Sequence, residues 1–168
     1  LYKKNYNIYG MVRKKIQNKL NIKYLTLDDL LRIENKKILS NTDTIIHAAG
    51  RAHIRFPILK KNSEKLFYDN VKLTSKLADI TVKNNIKNFI FISSAKVYGE
   101  ESQKNSFFDE RDVPNPQQKY SISKYDAELR LFKKFKTSYT NLTIIRPPVI
   151  FGKVPNGNFK LLILAVKN

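Results

Sequence analysis

The sequence predicts an α/β protein built on a doubly wound, parallel β-sheet. Short apolar runs alternate with longer amphipathic stretches along the 168 residues, which is the order of βαβ units. The strand-like runs are continuously apolar, as in parallel sheets whose strands are covered on both faces. A chain of this length forms one domain by default.

Five apolar runs are predicted to be strands. They are Tyr6–Val12, Ile22–Leu27, Thr44–Ala48, Asn88–Ser93 and Leu142–Arg146. Apolar residues recur close to every 3.6 positions in three further stretches, which predicts helices over Asn62–Asn84, Ser121–Lys136 and Asn156–Val166. The polar stretch Glu100–Gln118 contains two prolines and is predicted to be a loop, of a length that is often functional.

Composition narrows the class of protein. The formal net charge is +18, but the lysines are spread over the whole chain, and no basic run is interleaved with aromatic residues. We therefore expect no specific nucleic-acid partner. The chain has no cysteine, which excludes disulfides and suits a reducing cytoplasm. The apolar runs, including Phe159–Val166, are too short to span a membrane, so no transmembrane segment is expected.

Two other classes of site lack support in the sequence. The chain has two histidines, six residues apart, without the partner spacing of a metal site, so we expect no metal. No Gly-x-Ser-x-Gly pattern is present, which argues against a hydrolase of the nucleophile-elbow type.

Tyr120 and Lys124 form the most informative pair in the chain. Residues four apart share one face of a helix, and a nearby positive charge favours the phenolate form of a tyrosine. Chance can supply such a pair in a chain with 9 tyrosines and many lysines, and Tyr68/Lys72 is a second example that we interpret as coincidence. The other segments near Tyr120 therefore decide whether this pair is functional or a coincidence.

That context is the set of segments that follow the predicted strands. They are His47-Ala48-Ala49-Gly50, Ser93-Ser94-Ala95 and Arg146-Pro147-Pro148-Val149. Ligands of doubly wound sheets bind at the carboxyl ends of the strands. All three segments fall at that edge, and the Ser-Ser pair precedes Tyr120 by 26 residues, counted from Ser94.

Together these segments resemble the extended short-chain dehydrogenase/reductase family, in its NAD-dependent nucleotide-sugar epimerase/dehydratase branch. The matching pieces, in the family's order, are Thr44–Gly50 (Thr-Ile-Ile-His-Ala-Ala-Gly), Asp69-Asn70-Val71, Phe89–Gly99, Tyr120-Ser-Ile-Ser-Lys124 and Arg146–Gly152. They extend over nearly the whole chain. The resemblance implies a Rossmann-like fold.

The resemblance also implies roles for individual residues. Tyr120 would be the catalytic base and acid, Lys124 would lower its pKa and hold the nicotinamide ribose, and Ser94 would hydrogen-bond the reacting sugar hydroxyl. The residues implied to line the cofactor are Ala48, Ala49, Gly50, Asn70, Ser93, Tyr120, Lys124 and Pro148. Those implied to contact the substrate are Ser94, Lys96, Tyr120, Val149 and Asn158.

The implied activity is that of a nucleotide-sugar 4-epimerase, which transfers a hydride at the sugar C4 with NAD (NADP is the alternative). The substrate would be UDP-linked or polyprenyl-diphosphate-linked, in surface-polysaccharide metabolism, and the parent protein would be a homodimer. A 4-keto-sugar reductase and a non-catalytic NAD-sensing or scaffold relative are the alternatives. A 4,6-dehydratase is disfavoured, because Ala95-Lys96 stands where that group has Asp-Glu.

One departure from the family pattern is large. The family's first strand and Gly-x-x-Gly-x-x-Gly turn are absent, and the chain has only 5 glycines. Residues 1–168 are thus predicted to be a partial NAD(P)-binding Rossmann-like domain, lacking the central strand of the order 3-2-1-4-5-6. Residues 153–168 would begin the substrate-binding region. We expect a fragment that is itself inactive and binds NAD poorly or not at all.

Several residues keep a structural interpretation beside the functional one. His47 and Tyr98 could be core side chains, and Ser93 could be structural. Asp28 and Asp29 could cap a helix or lie near adenine, and we favour the cap. Arg51 and His53 could belong to a polar loop or reach the sugar diphosphate, and Pro147-Pro148 could simply end a strand.

Overall fold

The computed structural model describes residues 6–12, 22–32, 36–50, 65, 67–102, 107–148 and 150. These residues fall in two compact units, with the boundary between residues 43 and 44. Several predictions concern positions outside the described residues: the helix Asn156–Val166, and the residues Arg51, His53, Val149 and Asn158.

The first unit contains a parallel two-stranded sheet. Strand β1 (Tyr9–Met11) pairs with β2 (Lys23–Leu25), with Gly10 opposite Tyr24. A Cβ at Gly10 would lie 2.6 Å from the Tyr24 ring, so only glycine lets the ring pack against this backbone. Both strands lie within the predicted runs and are shorter than predicted.

Two short helices follow in this unit; the favoured cap at Asp28 and Asp29 implied the start of the first, and the second was not predicted. They are α1 (Leu27–Leu31) and α2 (Lys36–Ser40). Helix α1 begins with a capping box, in which Thr26 Oγ1 accepts from the Asp29 N–H and an Asp29 carboxylate oxygen accepts from the Thr26 N–H, both at 3.1 Å. The favoured interpretation of Asp29 as a capping residue is confirmed.

The second unit is a parallel three-stranded sheet with helices. Its strands β3 (Thr44–His47), β4 (Asn88–Ile92) and β5 (Asn141–Ile145) pair in the order β3-β4-β5. A π-helical segment (Tyr68–Lys72) runs into α3 (Leu73–Lys83), a 3₁₀ turn spans Ala95–Val97, and α4 is Lys119–Phe135. The α/β class with parallel pairing is confirmed.

Strand pairing follows the predicted sheet order. In the order 3-2-1-4-5-6, strand 3 lies beside strand 2, and strands 4, 5 and 6 lie side by side. The observed pairs, β1–β2 and β3–β4–β5, are these neighbours.

The core of the second unit lies on one face of its sheet. Phe89 and Phe91 of β4 are fully buried there, together with Leu77 of α3 and Leu131 of α4. The Phe89 ring packs against Phe135 of α4 with centroids 5.3 Å apart.

Burial on both faces, which the continuously apolar strands predicted, is wrong for the described residues. Burial alternates along β4 and β5, and Ile46 and Ile145 on the opposite face remain 49% and 44% exposed. The physical reason is that α3 and α4 both pack on the same face of the sheet. Phe135 of α4 contacts Phe89 there, and Thr74 of α3 is hydrogen-bonded to His47.

Candidate active site

Helix α4 carries Tyr120 and Lys124 on one face. It begins two residues before the predicted start, because the Ser121 hydroxyl accepts from the Gln118 N–H at 3.2 Å and donates to the Gln118 carbonyl at 3.0 Å. Tyr120 therefore lies in the first turn, and Lys124 lies one turn later.

Lys124 is held at the carboxyl end of β4. Its side chain is buried, its Nζ donates to the Ile92 carbonyl at 2.8 Å, and the same ammonium lies 4.7 Å from the centre of the Phe91 ring. The aromatic face and the last carbonyl of the strand thus replace part of the water that a lysine loses on burial.

Ser94 meets Tyr120 as the sequence predicted. It caps the 3₁₀ turn after β4, where its Oγ accepts from the Lys96 N–H at 3.3 Å. Its side chain also interacts with that of Tyr120, and this contact acts to lower the pKa of Tyr120. The end of β4 and the start of α4 therefore bring a hydroxyl, a phenol and an ammonium to one edge of the sheet.

Burial is the main influence on the pKa values of Tyr120 and Lys124. Burial raises the pKa of Tyr120 above 10.0, and the contact with Ser94 opposes that rise. Burial lowers the pKa of Lys124 to about 8, and the negative charge of Glu128 acts in the opposite direction.

Gly50 and Asn70 lie against the lysine. A Cβ at Gly50 would lie 3.0 Å from Lys124 Nζ and 3.3 Å from Asn70 Oδ1, so glycine lets the end of β3 approach this side chain. Asn70 Nδ2 donates to Ser123 Oγ at 2.9 Å, and Ser123 Oγ donates to the Tyr120 carbonyl at 2.8 Å. Asn70 sits in the π-helical segment, a distortion that is frequent at functional sites.

His47 is a core residue, as its structural interpretation held. It is 2% exposed, and its Nε2 forms a 2.8 Å hydrogen bond with Thr74 Oγ1. Its ring lies 6.2 Å from the ring of Phe89 and 5.5 Å from that of Phe91. Burial, and secondarily the charge on Lys124, lower the pKa of His47 to about 4, so this histidine is neutral at pH 7.

The other predicted cofactor residues lie at the ends of the strands. Ala48 and Ala49 are exposed after β3, and Pro148 is exposed after β5. Ser93 is buried, and its N–H donates to the Ile145 carbonyl at 2.7 Å. Its Oγ is buried without a hydrogen-bond partner among the described atoms.

Lys96 and Tyr98 have partners within the chain. The Lys96 ammonium forms an exposed ion pair with Glu100 at 3.0 Å. Tyr98 is buried, which agrees with its core interpretation, and its ring stacks on that of Phe108 with centroids 5.6 Å apart.

One ion pair at the site was not predicted from the sequence. Glu128 is fully buried and pairs in bidentate fashion with Arg146, with Nε–Oε1 at 3.1 Å and Nη2–Oε2 at 2.6 Å. Arg146 Nη1 also donates to the Tyr98 hydroxyl at 2.6 Å. The signal was available, because Glu128 continues the four-residue spacing of Tyr120 and Lys124 on the buried face of the helix.

Fold and sequence together place the chain in a family. It belongs to the NAD dependent epimerase/dehydratase family, whose sequence pattern matches residues 1–167. UDP-glucose 4-epimerase of Vibrio cholerae is 36% identical over 131 residues, which is 76% of this chain and 39% of that protein. N-acetyl-alpha-D-glucosaminyl-diphospho-ditrans,octacis-undecaprenol 4-epimerase of Escherichia coli O157:H7 is 41% identical over 96 residues, 55% of this chain and 28% of that protein.

Solved structures agree in fold. The crystal structure of UDP-glucuronic acid 4-epimerase from Bacillus cereus in complex with NAD matches with a TM-score of 0.63 at 24% identity, over 80% of this chain and 41% of that one. At this identity the likeness concerns the fold. The chain spans less than half the length of these relatives.

Two observations are compatible with a dinucleotide at this edge. Ser93 offers a buried hydroxyl without a partner among the described atoms, and Gly50 leaves room beside Lys124 that a Cβ would fill. Both belong to the edge that carries Tyr120. The 168 residues contain no glycine-rich turn for a pyrophosphate.

Membrane spans and metal clusters are both absent from the described part of the chain. None of its helices combines the length and apolarity needed to cross a bilayer. None of its acidic and histidine side chains group in threes that could hold a metal ion.

Proposed function

We propose that this chain supplies the catalytic edge of a NAD-dependent nucleotide-sugar 4-epimerase. The observation that carries the proposal is the placement of Ser94, Tyr120 and Lys124 at the carboxyl end of β4, where the Lys124 ammonium donates to the Ile92 carbonyl. The relative from Vibrio cholerae, named a UDP-glucose 4-epimerase, supports this reaction class.

In this proposal Tyr120 takes the proton from the sugar C4 hydroxyl, and Ser94 hydrogen-bonds the same oxygen. NAD⁺, when bound, would accept and return the hydride at C4. Lys124, Tyr120, Asn70 and Gly50 would hold its nicotinamide–ribose end, together with Ser93, Pro148, Ala48 and Ala49.

Lys124 supplies positive charge beside the acceptor of the proton. Its ammonium already donates to the Ile92 carbonyl, which leaves further N–H groups for ribose hydroxyls, since an ammonium has three donors. Because burial lowers the pKa of Lys124 to about 8, this charge is present at pH 7 and is lost in mildly alkaline solution.

The substrate in this proposal carries its sugar on a diphosphate. By their names, the Vibrio relative acts on a UDP-sugar and the Escherichia relative on a diphospho-undecaprenol-linked sugar. A UDP-sugar is favoured, because the Vibrio match extends over more of the chain. A cytoplasmic role in surface-polysaccharide metabolism follows from this substrate class.

The experiment is an epimerisation assay on the full-length protein. UDP-glucose or UDP-N-acetylglucosamine is supplied with NAD⁺, and the C4 epimer is separated by chromatography. We expect conversion by the unmodified protein, and a loss of at least about a hundredfold for Tyr120→Phe, since a positioned acid–base group contributes about 10²–10⁴-fold. Equal turnover by the two proteins would contradict the proposal.

A homodimer is part of the same proposal. Three large apolar side chains on α4, Ile122, Leu129 and Phe132, are 45%, 48% and 52% exposed, and their spacing of seven and three residues places them along one face of the helix. A second copy of the chain would cover them. Light scattering should give twice the monomer mass, and Leu129→Lys should shift it toward the monomer; a monomeric unmodified protein would contradict this part.

A further inference from the structure

Arg146 connects three segments of the second unit. It follows β5, its guanidinium binds Glu128 of α4 through two hydrogen bonds, and a third N–H donates to the hydroxyl of Tyr98 in the turn after β4. The guanidinium carbon also lies 4.8 Å from the centre of the Tyr98 ring. The pair with Glu128 raises the already high pKa of Arg146, so this group keeps its charge.

The turn that Arg146 contacts is the turn that carries Ser94. Tyr98 follows Ser94 by four residues, and the 3₁₀ turn Ala95–Val97 lies between them. The backbone of this turn is fastened to the segment after β5, where the Ala95 N–H donates to the Pro147 carbonyl at 2.9 Å. Both ends of the turn thus depend on residues that follow β5.

We infer that Arg146 is a positioning residue for the proposed reaction: through Tyr98 and Glu128 it holds the Ser94 turn against α4 and so sets the position of Ser94 relative to Tyr120. The inference rests on the proposed function and deepens it. Ser94 belongs to the turn, and Tyr120 belongs to the helix. Among the described residues, Arg146 binds a side chain of each element, Tyr98 beside the turn and Glu128 on the helix.

The chemistry of the ion pair argues against a role in stability alone. Removing a carboxylate from water costs several kcal/mol, and well-packed apolar side chains in place of a buried ion pair are often as stable or more so. An Arg–carboxylate fork fixes two planar groups in one relative orientation. Fixed geometry is also what the reaction needs, because misplacing a reacting group by about 1 Å can cost about a hundredfold in rate.

Tyr98→Phe isolates this function. It removes the hydroxyl that accepts from Arg146 and leaves the aromatic ring to pack on Phe108. Arg146 is 17% exposed, so water can replace the lost acceptor and the fold should persist. The Tyr98→Phe substitution removes no charge, because the charged residues Lys124, Glu128 and Arg146 are unchanged. His47 on β3 is neutral and is also unchanged.

The pKa of Tyr120 provides a readout that does not depend on turnover. The contact with Ser94 acts to lower this pKa, so a Ser94 turn that moves away should let it rise. Because Tyr98→Phe changes no charge on any element packed against α4, such a rise would report the Ser94 contact itself. Tyr139, which is 97% exposed, offers the matched control Tyr139→Phe.

The experiment uses the full-length protein with tyrosine ¹³C-labelled at Cζ, and the Tyr120 resonance is assigned with Tyr120→Phe. For Tyr98→Phe we expect a raised Tyr120 pKa and a kcat lowered by about tenfold, within the range that misplacement of up to about 1 Å costs. KM and thermal stability should stay near those of Tyr139→Phe. In a Ser94→Ala background, Tyr98→Phe should have little further effect on the Tyr120 pKa or on kcat, since both substitutions act through the contact between Ser94 and Tyr120.

Three results would overturn the inference. The first is a Tyr120 pKa and kcat equal to those of Tyr139→Phe. The second is an effect of Tyr98→Phe that adds in full to that of Ser94→Ala. The third is a loss of activity that follows the loss of folded protein. If the unmodified protein does not epimerise any UDP-sugar, the proposed function fails, while the Tyr120 pKa still decides whether Arg146 positions Ser94.

Discussion

Lys124 is expected to lower the stability of the folded protein at neutral pH. Its pKa falls from 10.5 to about 8 because the ammonium is buried, and a pKa difference of one between the folded and unfolded states corresponds to about 1.4 kcal/mol. Below pH 8 the folded state therefore carries a cost of about 3 kcal/mol relative to an exposed lysine. The Lys124→Met variant, which keeps the length of the side chain and removes the charge, should be more stable at pH 7 by about 2 kcal/mol, once about 1 kcal/mol is deducted for the lost hydrogen bond to Ile92.

The sign of the pH dependence follows from proton binding. Between about pH 8 and 10.5 the unfolded chain keeps a proton on Lys124 that the folded chain has released, so the contribution of this residue to the free energy of unfolding rises with pH. The advantage of Lys124→Met should accordingly shrink across this window, vanish at about pH 9.5 and reverse by about 1 kcal/mol toward pH 10.5, where only the lost hydrogen bond remains.

Urea denaturation at a series of pH values measures this directly. Lys133→Met is the matched control, because Lys133 is an exposed lysine on the same helix, and it should change the free energy of unfolding by no more than about 0.5 kcal/mol. A Lys124→Met variant that is less stable than the unmodified protein at pH 7, or whose effect does not depend on pH, would refute the reasoning. A more stable Lys124→Met variant would mean that the folded protein tolerates the destabilising charge of Lys124 at a position where the proposed reaction needs that charge.

Two further outcomes follow from contacts of the same edge. The free energy of unfolding should fall by up to about 3 kcal/mol as the pH drops from 6.5 to 4, because the unfolded chain gains a proton at His47 that the folded chain does not. Urea denaturation measures this fall. It should be absent in the His47→Gln variant. Gly50→Ala should move the Lys124 ammonium by a few tenths of an ångström, since the new Cβ would lie 3.0 Å from it. Turnover of the full-length protein should then fall several-fold at nearly unchanged melting temperature, and unchanged turnover would contradict the tight fit.

Local sequence patterns predicted most of the second unit. Apolar runs such as Asn88–Ser93 became strands because β-branched and aromatic side chains fit a pleated, packed surface. The spacing of Tyr120 and Lys124 was sufficient to place both on one helix face, and the strand order placed Ser94 beside them. These inferences needed only periodicity and the rule that ligands bind at the carboxyl ends of parallel strands.

Other features depend on tertiary contacts that a sequence pattern does not contain. The pKa of Tyr120 is set by burial, which cannot be read from its spacing to Lys124. The pairing of Glu128 with Arg146 joins residues 18 positions apart on different elements, and a glutamate on an amphipathic helix is more often at the surface. The short helices α1 and α2 are five residues each, too short to show a clear period.

The loss of turnover in Tyr120→Phe tests the central claim most directly. The substitution removes one hydroxyl and keeps the ring, so the full-length variant should retain its melting temperature. We predict that it epimerises UDP-sugars at least about a hundredfold more slowly than the unmodified protein, because the group that carries the proton is gone. A folded Tyr120→Phe variant with full activity would contradict the assignment of Ser94, Tyr120 and Lys124 as the active site.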